Sequence, residues 1–171
     1  MEYSEIIRKR FSTRSFSEKE VEQEKLDKVI EAGMLAPTAQ NRQPQRIYVI
    51  KSREALEKIR SVTKCAFNAP VVLMVSYNET EQWTNDLEAG VHSGVEDAAI
   101  AATHMMLEAT DQGLSTCWVN WFSNTKLEEV FAQPENERTV LIMPLGYAAE
   151  NAKPTPMHER SRDAKEIVRY L

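Results

Sequence analysis

The sequence predicts one domain, residues 1–171, built as a β-sheet covered by helices. Short apolar runs that suit buried strands alternate with segments whose apolar residues recur at helical spacing. Strands separated by helices give either an α/β or an α+β fold, and the pattern leaves both classes open. The size agrees with this, because 171 residues is an ordinary length for a single domain.

The first half of the chain predicts two helices and two strands. Leu26, Val29 and Ile30 fall at helical spacing and predict a helix over about 20–35, which the Ala36-Pro37 step ends. The elements that follow are a polar loop at 38–46, a buried strand at 47–50, a helix capped by Ser52 and a buried strand at 71–75.

The second half predicts the longest helix, over about 87–112, ended by Gly113. Small residues form a stripe that another helix can approach closely, and the stripe includes Ala98, Ala99, Ala102 and Met106. The elements that follow are a strand at 115–119, a short helix capped by Asn124 and a strand at 139–146. The polar tail beyond has too few apolar residues to hold itself, so we expect it to lie on another surface.

Composition narrows the classes of function. The net charge of −5 and the pI of about 5.4 argue against general nucleic-acid binding. No apolar run approaches the roughly 18–20 residues of a membrane span, and the N-terminus lacks the apolar region of a signal peptide. Cys65 and Cys117 fit no zinc or redox spacing, and His92 and His104 are too far apart for a helical zinc motif. We therefore expect a cytoplasmic protein without a metal site.

Two polar segments in the first half are candidate binding elements. Residues 8–14 hold four cations and two hydroxyls, which suits a phosphate, although for such a cluster alone a solvated basic helix end is the simpler explanation. Residues 36–44 hold three side-chain amides between prolines, which suits the edge of a heterocyclic ring. The alternative for this second segment is an ordinary surface loop.

Two further segments lie in the second half. Residues 113–122 place aromatic side chains and the Cys117 thiol at the end of a strand, where the thiol is more readily a small packing group than a nucleophile. Residues 159–162 hold two arginines that could close on an anion, or belong to a solvated tail. No glycine-rich phosphate loop is present, and Trp83 is assigned no role.

These four segments, in this order, resemble the motifs of the nitroreductase family of FMN-dependent oxidoreductases. The matching stretches are RFSTRSF at 10–16, APTAQNRQPQ at 36–45, GLSTCW at 113–118, and PLGYAAE at 144–150 with Arg160 and Arg162 after it. The resemblance implies an α+β fold with a mainly antiparallel sheet of four to five strands, flanked by helices. It also implies a homodimer with FMN at the interface and a C-terminal tail exchanged between subunits.

The resemblance assigns residues to each part of the cofactor. Those that it implies for the FMN phosphate are Arg10, Ser12, Arg160 and Arg162, with Phe11 beside them. Arg14 matches a cation near the flavin N1 and C2 carbonyl, where it favours the reduced state. Those implied for the ring and ribityl chain are Pro37, Thr38 and Asn41 to Gln43, which in the family can come from the neighbouring subunit. Asn120 and Trp121 match the contact to flavin N5, made by a backbone N–H.

The sequence departs from the family pattern at three positions. Trp121 stands where a small residue is frequent, so it is expected to shape the space over the flavin. Gln45 replaces an aromatic residue and Ser115 replaces a glycine.

The implied activity is an FMN-dependent oxidoreductase that passes hydride from NAD(P)H through flavin N5 to a nitroaromatic, a quinone or a similar small oxidant. A ping-pong order is expected, and the chemistry needs no catalytic acid or base from the protein. Two alternatives stay open: other flavin chemistry on the same fold, such as a dehalogenase or a dehydrogenase, and a non-catalytic module that binds FMN or senses redox state.

Overall fold

The computed structural model describes residues 1–171 and contains one four-stranded sheet in the order β1-β2-β4-β3. The strands are β1 (Gln45–Ile50), β2 (Val71–Asn78), β3 (Ser115–Thr116) and β4 (Glu137–Gly146). The helices are α1 (Tyr3–Lys9), α2 (Gln23–Met34), α3 (Arg53–Val62), α4 (Gly94–Asp111), α5 (Asn124–Phe131) and α6 (Ala164–Ile167). All three strand pairs are antiparallel. The α+β class is therefore confirmed, and the parallel alternative is excluded.

The sheet is buried on both faces because its central strand is apolar along its length. All eight residues of β2 are buried. Leu73 and Val75 pack with residues of α2 and α4, whereas Val72 and Met74 pack with residues of α3 and α5. Successive side chains of a strand point to opposite faces, so this run needs a helical layer on each side. The result is three layers with two hydrophobic cores.

The stripe of small residues on α4 serves the interior of the subunit. Ala98 and Ala102 are fully buried in the core that α4 forms with α2 and the sheet. Gly33 of α2 lies so close that a Cβ there would stand 2.7 Å from the Met105 side chain. Close helix packing is thus confirmed within one subunit, and Ala98 and Ala102 are not available to a second subunit.

The predicted start of the longest helix is wrong. The helix begins at Gly94, and residues 83–93 form a loop in which the backbone N–H of Ser93 donates to the Trp83 carbonyl at 3.0 Å. Leu87, expected in the helix, is 96% exposed. Gly90 has a φ of 84°, which is a left-handed turn conformation incompatible with a helix.

Three smaller details also differ from the sequence prediction. Helix α1 was not expected as a separate element. The third strand ends at Thr116, and only Val119 beyond it forms a further isolated bridge, with Ile142. Helix α5 is capped by Ser123, whose side chain accepts from the Lys126 N–H, whereas the Asn124 amide donates to the Thr139 carbonyl at 2.6 Å.

Most of the tail is left exposed by its own domain. Every residue from 153 onward is exposed. The exposed residues include large apolar ones, namely Met157, Ile167, Val168, Tyr170 and Leu171. The tail therefore presents apolar surface that its own subunit leaves uncovered. None of the helices combines the length and the apolar character needed to cross a membrane.

Candidate functional site

The segment that follows α1 is fixed along the open edge of the sheet. The Thr13 N–H donates to the Thr116 carbonyl at 2.9 Å, and Ser12 forms an isolated parallel bridge with Thr116. Phe16 forms a second bridge with Ala148, just after β4. Because Thr13 is fully buried, the side chains on either side of it project away from the core.

A cavity of about 310 Å³ lies over this segment. Its walls come from the segment itself and from the start of the tail, and the residues are Arg10, Phe11, Ser12, Arg14, Pro154, Thr155, Met157 and His158. Four of these residues, Arg10, Phe11, Ser12 and Arg14, are ones that the sequence resemblance assigns to the cofactor.

The charges of this cavity fit an anion. Neither Arg10 nor Arg14 belongs to any of the ion pairs of the chain. Arg14 donates only to the Ser12 carbonyl, at 3.2 Å. Two guanidinium groups without carboxylate partners, beside a hydroxyl, form a donor set suited to an anionic ligand.

The tail arginines do not join Arg10 within one chain. Neither Arg160 nor Arg162 lines the cavity, and Arg162 pairs with Glu166 at 3.4 Å. The tail contributes Thr155 and His158 instead, and the His158 ring lies edge-on to Phe11 with 6.4 Å between centroids. Sequence reasoning missed these two residues because they belong to no motif.

The amide-rich loop is strained. Gln40, Asn41 and Gln43 have φ values of 52°, 55° and 50°, which L-residues adopt at a cost of roughly 1–2 kcal/mol each. The Thr38 hydroxyl accepts from the Gln43 N–H at 3.0 Å and closes the loop on itself. Pro37, Asn41 and Gln43 are exposed. Strain of this kind is concentrated at ligand-binding segments.

Asp97 is a residue of this region that sequence reasoning missed. It is only 2% exposed, and its carboxylate accepts from the Ala39 N–H at 2.9 Å and from the Ser93 hydroxyl at 2.7 Å. The Ser93 hydroxyl in turn accepts from the Trp83 N–H at 3.1 Å. Asp97 thus joins α4 to the strained loop. The sequence offers one sign of this role, which is a carboxylate within an alanine-rich helical stripe.

Arg46 holds the other end of the same loop. One guanidinium nitrogen donates to the carbonyls of Gln43, Pro44 and Gln45 at 3.1–3.4 Å. The other terminal nitrogen donates to Glu81 at 2.6 Å, which fixes the guanidinium in place. The loop is therefore held at both ends by buried or paired charged groups.

The turn after β3 leaves a backbone donor available. The Trp118 indole N–H donates to the Asn120 side-chain oxygen at 2.6 Å, and the Asn120 amide donates to the Val140 carbonyl at 2.7 Å. The Asn120 side chain is thus used to fix the turn. The backbone N–H of Trp121 donates to no backbone acceptor, and the Trp121 side chain is 83% exposed. This arrangement suits a contact from the backbone N–H to a ring nitrogen.

Cys117 is a packing residue. It is 3% exposed and belongs to the core between the sheet and α3 and α5. Burial raises the pKa of the thiol, and the nearby charge of Arg14 opposes this only in part. A thiol with a raised pKa is a poor nucleophile. The proximity of Arg14 could not be inferred from the sequence, because the two residues are about a hundred positions apart.

The residues expected around one cofactor are spread over three depressions of the chain. Arg10, Ser12 and Arg14 line the first, and Trp121 lines a second with the end of α3. Gln43 lines a third, beside Met34 of α2. No group of three or more His, Cys, Asp or Glu side chains is arranged to hold a metal ion.

Comparison with known proteins shows the family to which the chain is similar. The profile of the Nitroreductase family matches residues 7–67 and 64–147. A protein of Methanothermobacter thermautotrophicus, provisionally named an NADH dehydrogenase/NAD(P)H nitroreductase, is 31% identical over 158 residues, covering 88% of this chain and 80% of the relative.

Solved structures show the same similarity. A nitroreductase family protein from Clostridium difficile 630 is 34% identical and superposes with a TM-score of 0.92 over 99% of this chain and 98% of the other. An FMN-dependent nitroreductase from Clostridium difficile R20291 is 25% identical, with a TM-score of 0.76 and 96% of each chain covered.

Proposed function

Because the chain belongs to the nitroreductase family, we propose that it is an FMN-dependent oxidoreductase. It uses NAD(P)H to reduce a nitroaromatic, a quinone or a similar small oxidant in ping-pong order. The observation that carries the proposal is the cavity over residues 10–14, where Arg10 and Arg14 have no carboxylate partner and Ser12 supplies a hydroxyl. The FMN-dependent relative and the NAD(P)H nitroreductase name of another support the cofactor and the reductant.

Several residues of the chain fit FMN. In this proposal Arg10 and Ser12 hold the phosphate, and Arg14 sets a positive charge near the pyrimidine side of the ring. The backbone N–H of Trp121 has no backbone acceptor of its own, which suits N5. When bound, FMN supplies the hydride chemistry, accepting two electrons from the nicotinamide and giving them to the oxidant. The protein's part is to bind, to orient and to leave one ring face open.

We propose that the active form is a homodimer in which each site takes residues from both subunits. The support is that the expected cofactor residues lie in three depressions of one chain, and that the tail leaves five large apolar side chains exposed. In this arrangement the loop containing Pro37, Thr38, Asn41 and Gln43 faces the partner's flavin. Arg160 and Arg162 reach a phosphate through the exchanged tail.

The test is the visible spectrum of the purified protein, recorded anaerobically before and after addition of NADH or NADPH. We expect a flavin spectrum that the reduced nicotinamide bleaches and that an added quinone restores. A flavin that reduced nicotinamides leave unbleached supports the binding or sensing module instead. A colourless protein that takes up no added FMN contradicts the proposal.

A further inference from the structure

A groove beside Trp121 combines apolar walls with one positive charge, and most of its residues are not among those assigned to the cofactor. It has a volume of about 550 Å³ and lies where the end of α3 meets the turn after β3. Its lining is Val62, Thr63, Lys64, Trp121, Phe122 and Ser123. Val62, Trp121 and Phe122 make apolar walls, and Lys64 is the single charged residue among the six.

The two sides of the groove are fixed to each other. The Thr63 hydroxyl, 7% exposed, donates to the Trp121 carbonyl at 2.9 Å and accepts from the Cys65 N–H at 3.1 Å. Lys64 lies between these two bonded residues, on a 3₁₀ turn at Lys64–Ala66. Segments 58 residues apart are thus locked together, so the ammonium group and the indole ring border one preformed space.

The ammonium group of Lys64 has no carboxylate partner, and the indole ring of Trp121 has no aromatic partner. None of the nine ion pairs of the chain includes Lys64. The Trp121 side chain is exposed and belongs to no aromatic pair. A ligand that satisfies both groups needs a planar ring to cover the indole and an anionic substituent for the ammonium.

We propose that this groove selects planar aromatic oxidants that carry an anionic group such as a carboxylate. The ring lies against Trp121 and the anion lies at Lys64. The proposal rests on the proposed oxidoreductase function, because Trp121 belongs to the turn expected to contact the flavin. It extends that function by stating the charge of the oxidant.

The experiment compares 4-nitrobenzoate with 4-nitrobenzamide, which share a ring and a nitro group and differ in charge. Binding to the protein as purified is measured by titration calorimetry, and kcat/KM is measured with NADH or NADPH. We expect the carboxylate to be favoured roughly fivefold in both measurements, the scale of one solvent-exposed charge pair. In Lys64→Gln the carboxylate-to-amide ratio should fall to about one.

Lys28→Gln is the matched control, because it removes the same charge from the outer side of α2, where Lys28 pairs with Glu24. It should keep the wild-type ratio. Equal use of both compounds by the wild type, or a preference that persists in Lys64→Gln, overturns the proposal. A change limited to kcat/KM for the reduced nicotinamide overturns it too, since Lys64 then serves the reductant. If the oxidoreductase function itself is wrong, reduced nicotinamide does not bleach the flavin. The ratio of the two binding affinities measured by calorimetry still tests the groove in that case.

Discussion

Arg10 is the residue on which cofactor binding is expected to depend most. It lines the cavity over residues 10–14 and has no carboxylate partner. We expect Arg10→Ala to cost on the order of 2–5 kcal/mol of FMN binding, which is roughly 30-fold or more in affinity. Flavin fluorescence titration of the apoprotein measures this, with Arg8→Ala as a control on the same basic segment but outside the cavity. Equal losses in both variants contradict the assignment.

Cys117 is expected to act through packing alone. Its burial raises the pKa of the thiol, so the reactive thiolate is scarce at neutral pH. Cys117→Ala should lower the free energy of unfolding by about 1 kcal/mol and leave FMN content and turnover nearly unchanged. Urea unfolding measures the change in the free energy of unfolding, and a quinone-reduction assay measures turnover. Loss of turnover with FMN still bound contradicts a packing role.

At the scale of elements, Asp97 connects α4 to the strained loop. Asp97→Ala leaves the partly buried N–H of Ala39 and the buried hydroxyl of Ser93 without their acceptor, a loss of roughly 1–3 kcal/mol of stability. Because the same loop is proposed to face the partner's flavin, FMN affinity should fall as well. Ser93→Ala removes only the second contact and serves as the comparison. If the loss of FMN affinity is as large in Ser93→Ala, the contact to Ala39 is not the one that matters.

A second connection joins the start of α2 to the end of β4. The Tyr147 hydroxyl donates to Glu22 at 2.6 Å, and Lys25 donates to the Tyr147 oxygen at 2.8 Å. The bond from Tyr147, a backbone hydrogen bond and, to a smaller extent, the charges of Lys19 and Lys25 lower the pKa of Glu22 from 4.5 to about 2. A carboxyl whose pKa is lowered by folding stabilises the protein above its unfolded pKa. That stabilisation is lost as the pH falls from 4.5 to about 2.

Glu22→Gln tests this connection. The variant should be less stable than the wild type at neutral pH, and the difference should shrink below pH 4.5 and disappear below about pH 2. Urea midpoints across this range measure the difference. Glu24→Gln, which removes an exposed carboxylate paired with Lys28, is the control for the loss of a surface carboxylate from the same helix. A pH-independent difference for Glu22→Gln contradicts the role of its ionised form.

At the scale of the whole molecule, the tail is expected to hold the dimer. Residues 153–171 contribute no buried residue to their own subunit. Their deletion should therefore leave a folded core by circular dichroism while lowering the dimer fraction and the FMN content. Permanent interfaces bury well above ~2,000 Å² in total, so light scattering at micromolar concentration should find the full-length chain as a dimer. A full-length monomer contradicts the exchanged tail.

The sequence by itself determined that helices cover a buried sheet. The apolar run of β2 requires cover on both faces, and Ser52 caps α3 as predicted, because burial and capping depend on neighbours in the chain. Local sequence patterns did not locate the starts of two helices. Val91 continues the helical spacing of α4, yet the segment 83–93, with a left-handed Gly90, lies outside that helix. Ser123 rather than Asn124 caps α5.

Only the tertiary structure decided what depends on residues distant in the chain. Strand direction is set by the pairing of β2 with β1 and β4, and an apolar run has the same pattern in a parallel or an antiparallel sheet. The motif around Arg10 was visible in the sequence, but the absence of a carboxylate partner was not. The position of Asp97 under the strained loop and that of Lys64 beside Trp121 were likewise not visible in the sequence. Each acquires its role from a contact that folding creates between segments with no shared sequence pattern.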